Sequence, residues 1–387
     1  MKLLSIASSS VKGGATISLL NTLRGLKHKG IEIRVVVPQK GYLTEMLENE
    51  DIEYILCDVP YWAWPRVGGW RNYWKIPFKL MKVYLNEITS IFLLTRVLNS
   101  WRPDLIHTNV SVINLGYILS KRLNIPHVWH IREYGDKDFN IHSLYGRKRL
   151  REHLNRGYSI CITKELKSYF NLGDKSQVIY NGIEEPECRI EKNSDFVRNK
   201  NKIIFVGRLT EEKGVSEIVK SFIYFLKKNK QFSLDLIGSC SKEYREYLQN
   251  IIKKHNVEKS IKIVGAVNNP YVIMQQAGAL IVASKSEGFG RITAEAMLNG
   301  CLVIGKNTAG TKEQFDNGVE IFGKEIGIRY GDEKSLETAL QEFANLTEKQ
   351  YNEMTKDAQL TVTRLYSVKQ NVEQTNKYFH EIISTTI

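Results

Sequence analysis

Short apolar runs of strand length alternate with helix-length segments along the whole of this 387-residue chain. The first half contains LLSIAS, EIRVVVP, DLIHTN, HVWHIRE, YSICIT and QVIY, and the second KIIFVG, FSLDLIG, IKIVGAV, ALIVAS and CLVIGK. This alternation is typical of parallel sheets whose strands are joined by crossover helices. Because the chain is too long for one ordinary core, we predict an α/β protein of two doubly wound domains.

A polar stretch separates the two sets of runs. NGIEEPECRIEKNSDFVRNKN, from Asn181 to Asn201, combines an Asn-Gly turn pair with a proline and many charges, which is typical of a connecting segment. We therefore predict an N-terminal domain over 1–182, a linker over 183–201 and a C-terminal domain over 202–365. The last segment, 366–387, is predicted to hold a helix that begins at Ser367 and crosses back to the N-terminal domain.

Cysteine usage and the length of apolar runs exclude several classes of protein. The five cysteines, at positions 57, 161, 188, 240 and 301, show no CxxC or paired spacing. This disfavours a disulfide framework or a zinc site and favours a reducing compartment. The N-terminal apolar run is too short for a signal peptide, and no run approaches the ~18 apolar residues of a spanning helix.

The net charge of +13 indicates an acidic partner. A phosphorylated ligand, an anionic membrane surface and a nucleic acid all satisfy that charge. No zinc finger, RNA-binding signature or helix-turn-helix pattern accompanies it. We therefore expect no nucleic acid among the partners.

Two glutamates flank a glycine-rich corner in SKSEGFGRITAEAML, residues 284–298. The spacing places Glu287 at the end of a strand and Glu295 about two turns into the following helix. Glu295 alone is compatible with a solvated helix face, although its alanine neighbours suit a crowded site better. Gly288 and Gly290 would let a ligand approach the backbone, where a helix start attracts anions. The pattern favours a phosphate-bearing ligand with hydroxyl groups for Glu295.

A second corner, GRLTEEKG, follows the first strand of the second half. It places Arg208 and Lys213 five residues apart, at the strand end where parallel sheets bind ligands. Taken alone, both residues could be ordinary surface charges. Together with the glutamate corner, they favour a diphosphate site.

These motifs resemble the retaining glycosyltransferases of family 4, which have the two-domain GT-B fold. Their order and spacing carry the resemblance over nearly the whole chain. The matching motifs are Gly13-Gly14, His130 in VWHIREYG, Asn181-Gly182, GRLTEEKG, VGAV at 264–267 and the Glu287/Glu295 pair. The resemblance implies two Rossmann-like domains facing a central cleft, the first for the acceptor and the second for a nucleotide sugar.

The resemblance also implies a role for each matching position. Arg208 and Lys213 would hold the diphosphate of a nucleoside-diphosphate-sugar, with a UDP-sugar expected before a GDP-sugar. Glu295 would accept hydrogen bonds from the ribose, and Glu287 would contact the sugar. The other implied donor contacts come from the base-stacking position Val267, the amides around Gly288, Phe289 and Gly290, the first-loop glycines Gly13 and Gly14, and His130 beside the reacting carbon.

The implied reaction needs positioned charge rather than a nucleophile. Cations and dipoles can stabilise an oxocarbenium-like sugar and a leaving diphosphate. In the family, the leaving phosphate oxygen is thought to take the acceptor's proton on the same face of the sugar. We therefore assign no general base to Glu287 or Glu295, and we expect no cofactor and no metal.

Three further patterns have competing interpretations. Asp136-Lys137-Asp138 matches the Asp-x-Asp pattern with which another glycosyltransferase fold binds a metal, but we interpret it as a loop because the cationic pair already serves the diphosphate. His107 ends a predicted strand and is interpreted as a structural residue or a contact on the acceptor side. No G-x-G-x-x-G fingerprint follows the first strand, which disfavours a nicotinamide dehydrogenase.

A basic aromatic segment spans residues 59–86. It contains five Lys or Arg residues, no acid and four of the six tryptophans, and apolar residues at 78, 81, 85 and 88 follow at helical spacing. This composition is typical of a membrane-interface anchor, although a buried aromatic loop with a solvated charged face is the alternative. The predicted interface residues are Trp70, Arg71, Trp74, Lys75, Lys79 and Lys82.

The sequence therefore predicts a retaining glycosyltransferase, peripheral on the inner face of the plasma membrane. It would use a glycan or lipid-linked acceptor in bacterial-type surface polysaccharide assembly. One rival is a sugar-nucleotide epimerase or hydrolase of the same fold. A second is a non-catalytic protein that binds glycan or nucleic acid.

Overall fold

The computed structural model describes residues 1–65, 76–138, 140–144, 146–185 and 198–386. The strands are β1 Lys2–Ile6, β2 Glu32–Val37, β3 Glu53–Leu56, β4 Ala63–Pro65, β5 Leu105–Thr108, β6 His127–Ile131, β7 Ile141–Ser143, β8 Tyr158–Cys161, β9 Ser176–Val178, β10 Asn199–Val206, β11 Ser233–Ile237, β12 Ile261–Gly265, β13 Ala277–Val282, β14 Leu302–Lys306 and β15 Ile328–Tyr330. The helices are α1 Gly14–His28, α2 Tyr42–Asn49, α3 Ile76–Leu98, α4 Leu115–Leu123, α5 Gly146–Leu154, α6 Lys164–Tyr169, α7 Val215–Leu226, α8 Lys242–Lys254, α9 Pro270–Gln276, α10 Arg291–Leu298, α11 Ala309–Phe322, α12 Glu333–Asn345, α13 Glu348–Leu365 and α14 Val368–Ser384.

The chain forms two compact units. Residues 1–182 and 368–387 make up unit 1, and residues 183–367 make up unit 2. Each unit contains a parallel sheet, in the strand orders β3-β2-β1-β5-β6-β8-β9 and β12-β11-β10-β13-β14-β15. The predicted fold class, α/β with two doubly wound domains, is confirmed.

All eleven predicted runs contain a strand, and their apolar residues form the cores. Strand β13 is buried at all six positions, as expected for a parallel strand with helices on both faces. Four strands were not predicted. They are β3, β15 and the antiparallel pair β4–β7. Strand β10 begins at Asn199, so the end of the segment predicted as linker, 199–201, is strand; residues 186–197 lie outside the described residues.

The C-terminal helix α14 packs on unit 1, against α1. Two glycines permit the close approach. A Cβ at Gly25 would lie 2.3 Å from Val372 Cγ2, and one at Gly182 would lie 2.8 Å from Val368 Cα. The hydroxyl of Thr22 also donates to Asn371 Oδ1 at 2.8 Å. Gly182 of the Asn-Gly pair therefore makes room for the start of α14.

Candidate functional site

The strand order of unit 2 creates a switch point between β10 and β13. From β10 the chain adds β11 and β12 on one side, and then returns to add β13, β14 and β15 on the other. In open parallel sheets a crevice forms at the carboxyl ends of the two strands that flank such a reversal, and ligands bind there. The loops that follow β10 and β13 are the two sequence corners, 207–214 and 283–290.

Arg208 and Lys213 both lie in the loop after β10. Arg208 is exposed and Lys213 is half-buried. Gly214 ends the loop in a left-handed conformation, with φ 72°, and a Cβ there would lie 2.5 Å from the carbonyl oxygen of Ala283. Only glycine accommodates both the conformation and the contact. Gly214 therefore brings the cationic loop directly against the end of β13.

Lys213 and Glu287 form an ion pair. Lys213 Nζ donates to Glu287 Oε1 at 2.6 Å, and Ser284 Oγ donates to the same oxygen at 2.6 Å. The two predicted site residues are therefore in direct contact, although 74 positions separate them. Since Glu287 occupies one N–H of Lys213, the ammonium group keeps two further donors for an anion.

A third cation, Lys285, lies on the same side of the unit. The pKa of Glu212 lies below its ordinary value. Hydrogen bonds from the backbone of Glu212 and from the Thr210 hydroxyl lower it most, and the charges of Arg208 and Lys285 lower it further. Lys285 and Arg208 therefore lie near the same carboxylate. Lys285 lies within the glutamate corner, but its exposed strand-end position carried no distinctive sequence signal.

Three helices begin after the adjacent strands β10, β13 and β14. Their N-cap residues are Gly214, Gly290 and Thr308, and none caps its helix with a side chain. The Thr308 hydroxyl instead donates to the Ser284 carbonyl oxygen at 3.3 Å. Three helix dipoles therefore present their positive ends at the carboxyl edge of the central strands, and this arrangement favours an anion.

The Phe289–Gly290 corner is held by hydrogen bonds from Gln314 and by close packing of α11. Gln314 Nε2 donates to the carbonyl oxygens of Phe289, at 2.6 Å, and Gly290, at 3.1 Å. A Cβ at Gly310 would lie 2.2 Å from the Phe289 carbonyl oxygen, so α11 packs directly on this corner. Gly288, the other glycine of the corner, lies half-buried beside Phe289.

Glu295 lies at the fifth position of α10, one turn after its start, rather than two turns as predicted. The helix begins at Arg291, because the corner extends through Gly290 in a left-handed conformation. Arg291 pairs with Glu295 Oε1 at 3.1 Å, and the two side chains are 14% and 12% exposed. Burial raises the pKa of Glu295, and the Arg291 charge opposes that rise.

Tyr271, at the start of α9, also reaches this carboxylate. Burial and the Glu295 charge raise the pKa of Tyr271 to about 12, so its hydroxyl stays protonated and can donate to Glu295. Sequence reasoning missed Tyr271 and Arg291, although the i,i+4 spacing of Arg291 and Glu295 was a readable signal. Val267, predicted at the base-stacking position, lies half-buried in the loop between β12 and α9.

Unit 1 has its own switch point, between β1 and β5, and two predicted histidines lie beside it. His107, on β5, and His130, on β6, are both buried and hydrogen-bonded, with His107 Nε2 3.1 Å from His130 Nδ1. Burial lowers the pKa of His107 to about 3 and that of His130 well below its ordinary value. Arg132 adds to both shifts, so the two rings are neutral at physiological pH.

The first-loop glycines of unit 1 lie where α1 begins. Gly13 is the N-cap of α1, with an extended backbone, and Gly14 is its first residue. A Cβ at Gly13 would meet no atom within 4 Å, so packing within the described residues does not require a glycine there.

A carboxylate that the sequence reasoning missed, Glu133, follows the two histidines. It is half-buried, and burial together with the Asp138 charge raises its pKa to about 7 while Arg132 opposes the rise. The sequence signal for Glu133 was its position three residues after His130. That position gave no information on the charges of Asp138 and Arg132 that act on its pKa.

The Asp-x-Asp pattern lies in a turn, and both carboxylates are engaged there. Asp136 accepts from the Tyr169 hydroxyl at 2.6 Å and pairs with Arg147, and Asp138 accepts from the amides of Tyr134 and Gly135 at 2.9 and 2.8 Å. Across the described residues, no cluster of three His, Cys, Asp or Glu side chains is arranged to hold a metal ion.

The predicted membrane segment is described only in part. Arg71, Lys75, Trp70 and Trp74 lie outside the described residues, whereas Lys79 and Lys82 are exposed on α3. The same helix exposes an apolar stripe of five residues, Phe78 at 63%, Met81 at 56%, Leu85 at 54%, Ile88 at 47% and Phe92 at 62%. None of the helices in the described ranges is both long and apolar enough to cross a membrane.

Family models match most of the chain. The model described as Glycosyltransferase Family 4 matches residues 12–185, and the one described as Glycosyl transferases group 1 matches residues 188–361. Together they cover both units except for the ends of the chain.

Individual relatives agree with the family models. A capsular polysaccharide biosynthesis glycosyltransferase, CapH, of Staphylococcus aureus is 24% identical over 323 residues, or 79% of this chain and 81% of that protein. A Campylobacter jejuni N-acetylgalactosaminyltransferase, named for a diphospho-undecaprenol substrate, is 25% identical over 39% of this chain and 41% of its own length. The crystal structure of Anabaena HepE in complex with UDP superimposes with a TM-score of 0.77 at 18% identity, over 98% of this chain and 100% of that one.

Proposed function

Because the chain belongs to glycosyltransferase family 4, we propose that it moves a sugar from a nucleoside diphosphate to a glycan or lipid-linked acceptor, with retention at the anomeric carbon. The single observation that carries the proposal is the carboxyl edge of β10, β13 and β14. There the loop that carries Arg208 and Lys213 and three helix starts lie at adjacent strand ends, and Lys213 contacts Glu287. This arrangement suits a diphosphate, which is the leaving group of such a donor.

The donor-site residues are proposed in the roles that their chemistry permits. Arg208 and Lys213 neutralise the diphosphate, and Glu287, anchored by Lys213 and Ser284, contacts the sugar. Glu295 accepts from the ribose hydroxyls. The backbone of the Phe289–Gly290 corner, kept in place by Gln314, holds sugar and phosphate. His130, Val267 and the glycines Gly13, Gly14 and Gly288 keep the roles implied by the resemblance.

The reaction in this proposal requires no metal and no protein nucleophile. The bond from the anomeric carbon to the diphosphate oxygen breaks, and the acceptor oxygen forms a bond to the same carbon on the same face. The leaving phosphate oxygen takes the acceptor's proton. Positioned cations lower the barrier because negative charge grows on the diphosphate as it leaves.

A UDP-sugar is the proposed donor, in the assembly of a bacterial surface polysaccharide. The UDP complex of Anabaena HepE and the capsular role named for CapH support these choices. A thermal-shift screen of nucleoside diphosphates and their sugars tests them, since a ligand raises Tm according to its occupancy. Stabilisation by UDP but not by GDP is expected. No stabilisation by any nucleoside diphosphate would instead favour a non-catalytic binding protein.

Product analysis separates transfer from the remaining rivals. Incubation with the stabilising nucleotide sugar and a membrane extract should yield a glycosylated product. Free sugar alone, or a converted sugar nucleotide without transfer, would indicate a hydrolase or an epimerase of the same fold.

We further propose that the enzyme is peripheral on the cytoplasmic face of an anionic membrane, with helix α3 as the contact. The stripe from Phe78 to Phe92 spans about 21 Å at the rise of an α-helix. The exposed charges of the described helix are Lys79, Lys82 and Arg96, because its single acid, Glu87, is buried against Trp62 Nε1 at 2.7 Å. An apolar stripe flanked by cations is typical of a helix that lies in the bilayer interface. The diphospho-undecaprenol substrate named for the Campylobacter relative makes a membrane-borne acceptor reasonable.

Co-sedimentation with anionic vesicles tests this contact. Wild type should sediment and be released by 1 M salt, because salt screens exposed charge. Leu85→Ser with Phe92→Ser should not sediment, and replacing Arg71, Lys75, Lys79 and Lys82 by Ser should have the same effect. Tyr224→Ser, which removes an equally exposed aromatic from unit 2, should behave like wild type. Sedimentation of both altered proteins, or none by wild type, would refute the proposal.

A further inference from the structure

A chain of buried hydrogen bonds crosses the central strands of unit 1. Ser5 Oγ lies 3.0 Å from His107 Nδ1, and His107 Nε2 lies 3.1 Å from His130 Nδ1. Ser5 and His107 face each other in the β1–β5 register, and all three residues are at most 2% exposed. The chain therefore joins three neighbouring strands at the switch point.

Arg132 sets the direction of this chain. Its NH2 group lies 3.3 Å from His130 Nδ1, while Nε donates to Asn109 Oδ1 and NH1 to Asn181 Oδ1, both at 2.6 Å. A guanidinium group donates hydrogen bonds and accepts none. Nδ1 of His130 must therefore be the acceptor, and the proton of this neutral ring lies on Nε2.

The same argument continues back along the chain. If His130 Nδ1 accepts, His107 Nε2 must be the donor, and His107 Nδ1 is then the acceptor from the Ser5 hydroxyl. Each ring is neutral, because burial and the Arg132 charge lower both pKa values. The direction of every hydrogen bond from Ser5 to His130 is thus determined.

The chain ends in a buried donor. Nε2 of His130 has no hydrogen-bond partner among the described residues. A buried N–H without a partner costs about 1–3 kcal/mol, and such a cost persists where the group serves a ligand. The fixed proton makes Nε2 a donor only, so it suits an acceptor oxygen.

We propose that Ser5, His107 and Arg132 are positioning residues that hold His130 as a neutral Nε2–H donor for an oxygen atom of the bound sugar. The identity of the ligand rests on the proposed function. The direction of the chain does not, because it follows from the contacts of unit 1 alone.

Ring-nitrogen NMR of the ligand-free full chain tests the direction. Histidine is labelled with ¹⁵N in both ring positions, and the His130 signals are assigned by their loss in His130→Gln. We expect Nε2 protonated and Nδ1 unprotonated, with no titration from pH 5.5 to 8. A proton on Nδ1, or a charged ring within that range, would overturn the proposal whatever the enzyme's substrate.

Variants of His107 test the positioning role. His107→Gln keeps an N–H at the place of Nε2, whereas His107→Leu removes it. With the sugar nucleotide selected by thermal shift, His107→Leu should lower kcat/KM about tenfold or more, and His107→Gln should stay within about threefold of wild type. The His130 spectrum of His107→Leu should still show Nε2 protonated, because Arg132 is retained, so the expected loss reflects the position of the ring. Equal kcat/KM in the Leu variant and wild type would refute the role.

Measuring UDP affinity distinguishes a lost positioning role from a variant that does not fold and from failure of the proposed function. The proposed UDP contacts lie in unit 2, so His107→Leu should bind UDP as wild type does if the chain folds. If His107→Leu does not fold, Ser5→Ala carries the kinetic test, with a smaller loss in the same direction. If no sugar nucleotide binds wild type, the proposed function fails, while the spectrum of His130 still decides the hydrogen-bond chain.

Discussion

Replacing Glu295 by Gln tests the proposed donor site at the residue with the best-defined surroundings. The carboxylate is 12% exposed and is held by Arg291 at 3.1 Å and by Tyr271. Gln has almost the same shape and keeps one acceptor oxygen, but it loses the charge. Because burial already raises the pKa of Glu295, losing the charge should cost the fold little.

The expected loss of affinity follows from the hydrogen bonds at stake. A hydrogen bond to a charged group contributes about 1.5–3 kcal/mol, and a neutral one about 0.5–1.5 kcal/mol. The exchange at Glu295 should therefore cost about 1–3 kcal/mol of UDP binding, a 5- to 150-fold rise in Kd. The low exposure of Glu295 leaves little solvent screening to reduce this value.

Calorimetry with two nucleotides identifies the hydroxyl groups as the partners. UDP and 2′,3′-dideoxy-UDP are titrated into wild type, Glu295→Gln and the control Glu246→Gln, which removes an equally negative but exposed side chain from α8. Wild type and the control should lose affinity for the dideoxy compound, whereas Glu295→Gln should lose clearly less, because its neutral oxygen keeps only the weaker part of the interaction. If the dideoxy penalty is the same in Glu295→Gln as in wild type, Glu295 does not contact the ribose.

Three further predictions concern chemistry and stability. Arg208→Ala should lower kcat at least tenfold, because the charge of Arg208 is needed most as the diphosphate leaves. The control Arg149→Ala, an exposed substitution in unit 1, should leave kcat unchanged. Equal kcat values in the two variants would mean that the diphosphate binds elsewhere. Donor hydrolysis or transfer should survive EDTA, and complete loss that manganese restores would instead implicate Asp136 and Asp138. Burial raises the pKa of Glu87 to about 7 from an ordinary value of 4.5. Between these values the folded chain keeps a proton on Glu87 that the unfolded chain releases. The free energy of unfolding should therefore fall as pH rises from about 4.5 to 7. Glu87→Gln should therefore match the wild-type Tm near pH 5 and exceed it at pH 8 by differential scanning fluorimetry, and a constant difference would contradict the shift.

The sequence alone determined the fold class and the local form of the two glycine-containing corners, 207–214 and 283–290. The apolar runs predict strands because a parallel strand covered on both faces must be apolar along its length, as β13 shows. The glycines at 214 and 290 mark strand-to-helix corners because their left-handed backbone strains other residues. Strands β3 and β15 were missed because they are short edge strands whose sequences, EYIL and IRY, each contain a charged residue and lack a continuous apolar run.

Only the tertiary structure decided which distant side chains meet. Lys213 and Glu287 are 74 positions apart, and Ser5 and His107 are 102 apart, yet each pair is in hydrogen-bond contact. Both contacts exist because each sheet reverses its strand order and makes strands that are distant in sequence neighbours in space. The protonation of His130 was equally beyond the sequence, because it depends on burial and on the direction from which Arg132 approaches. Propensity and spacing act over a few residues, whereas these contacts depend on strand order, which the whole core determines.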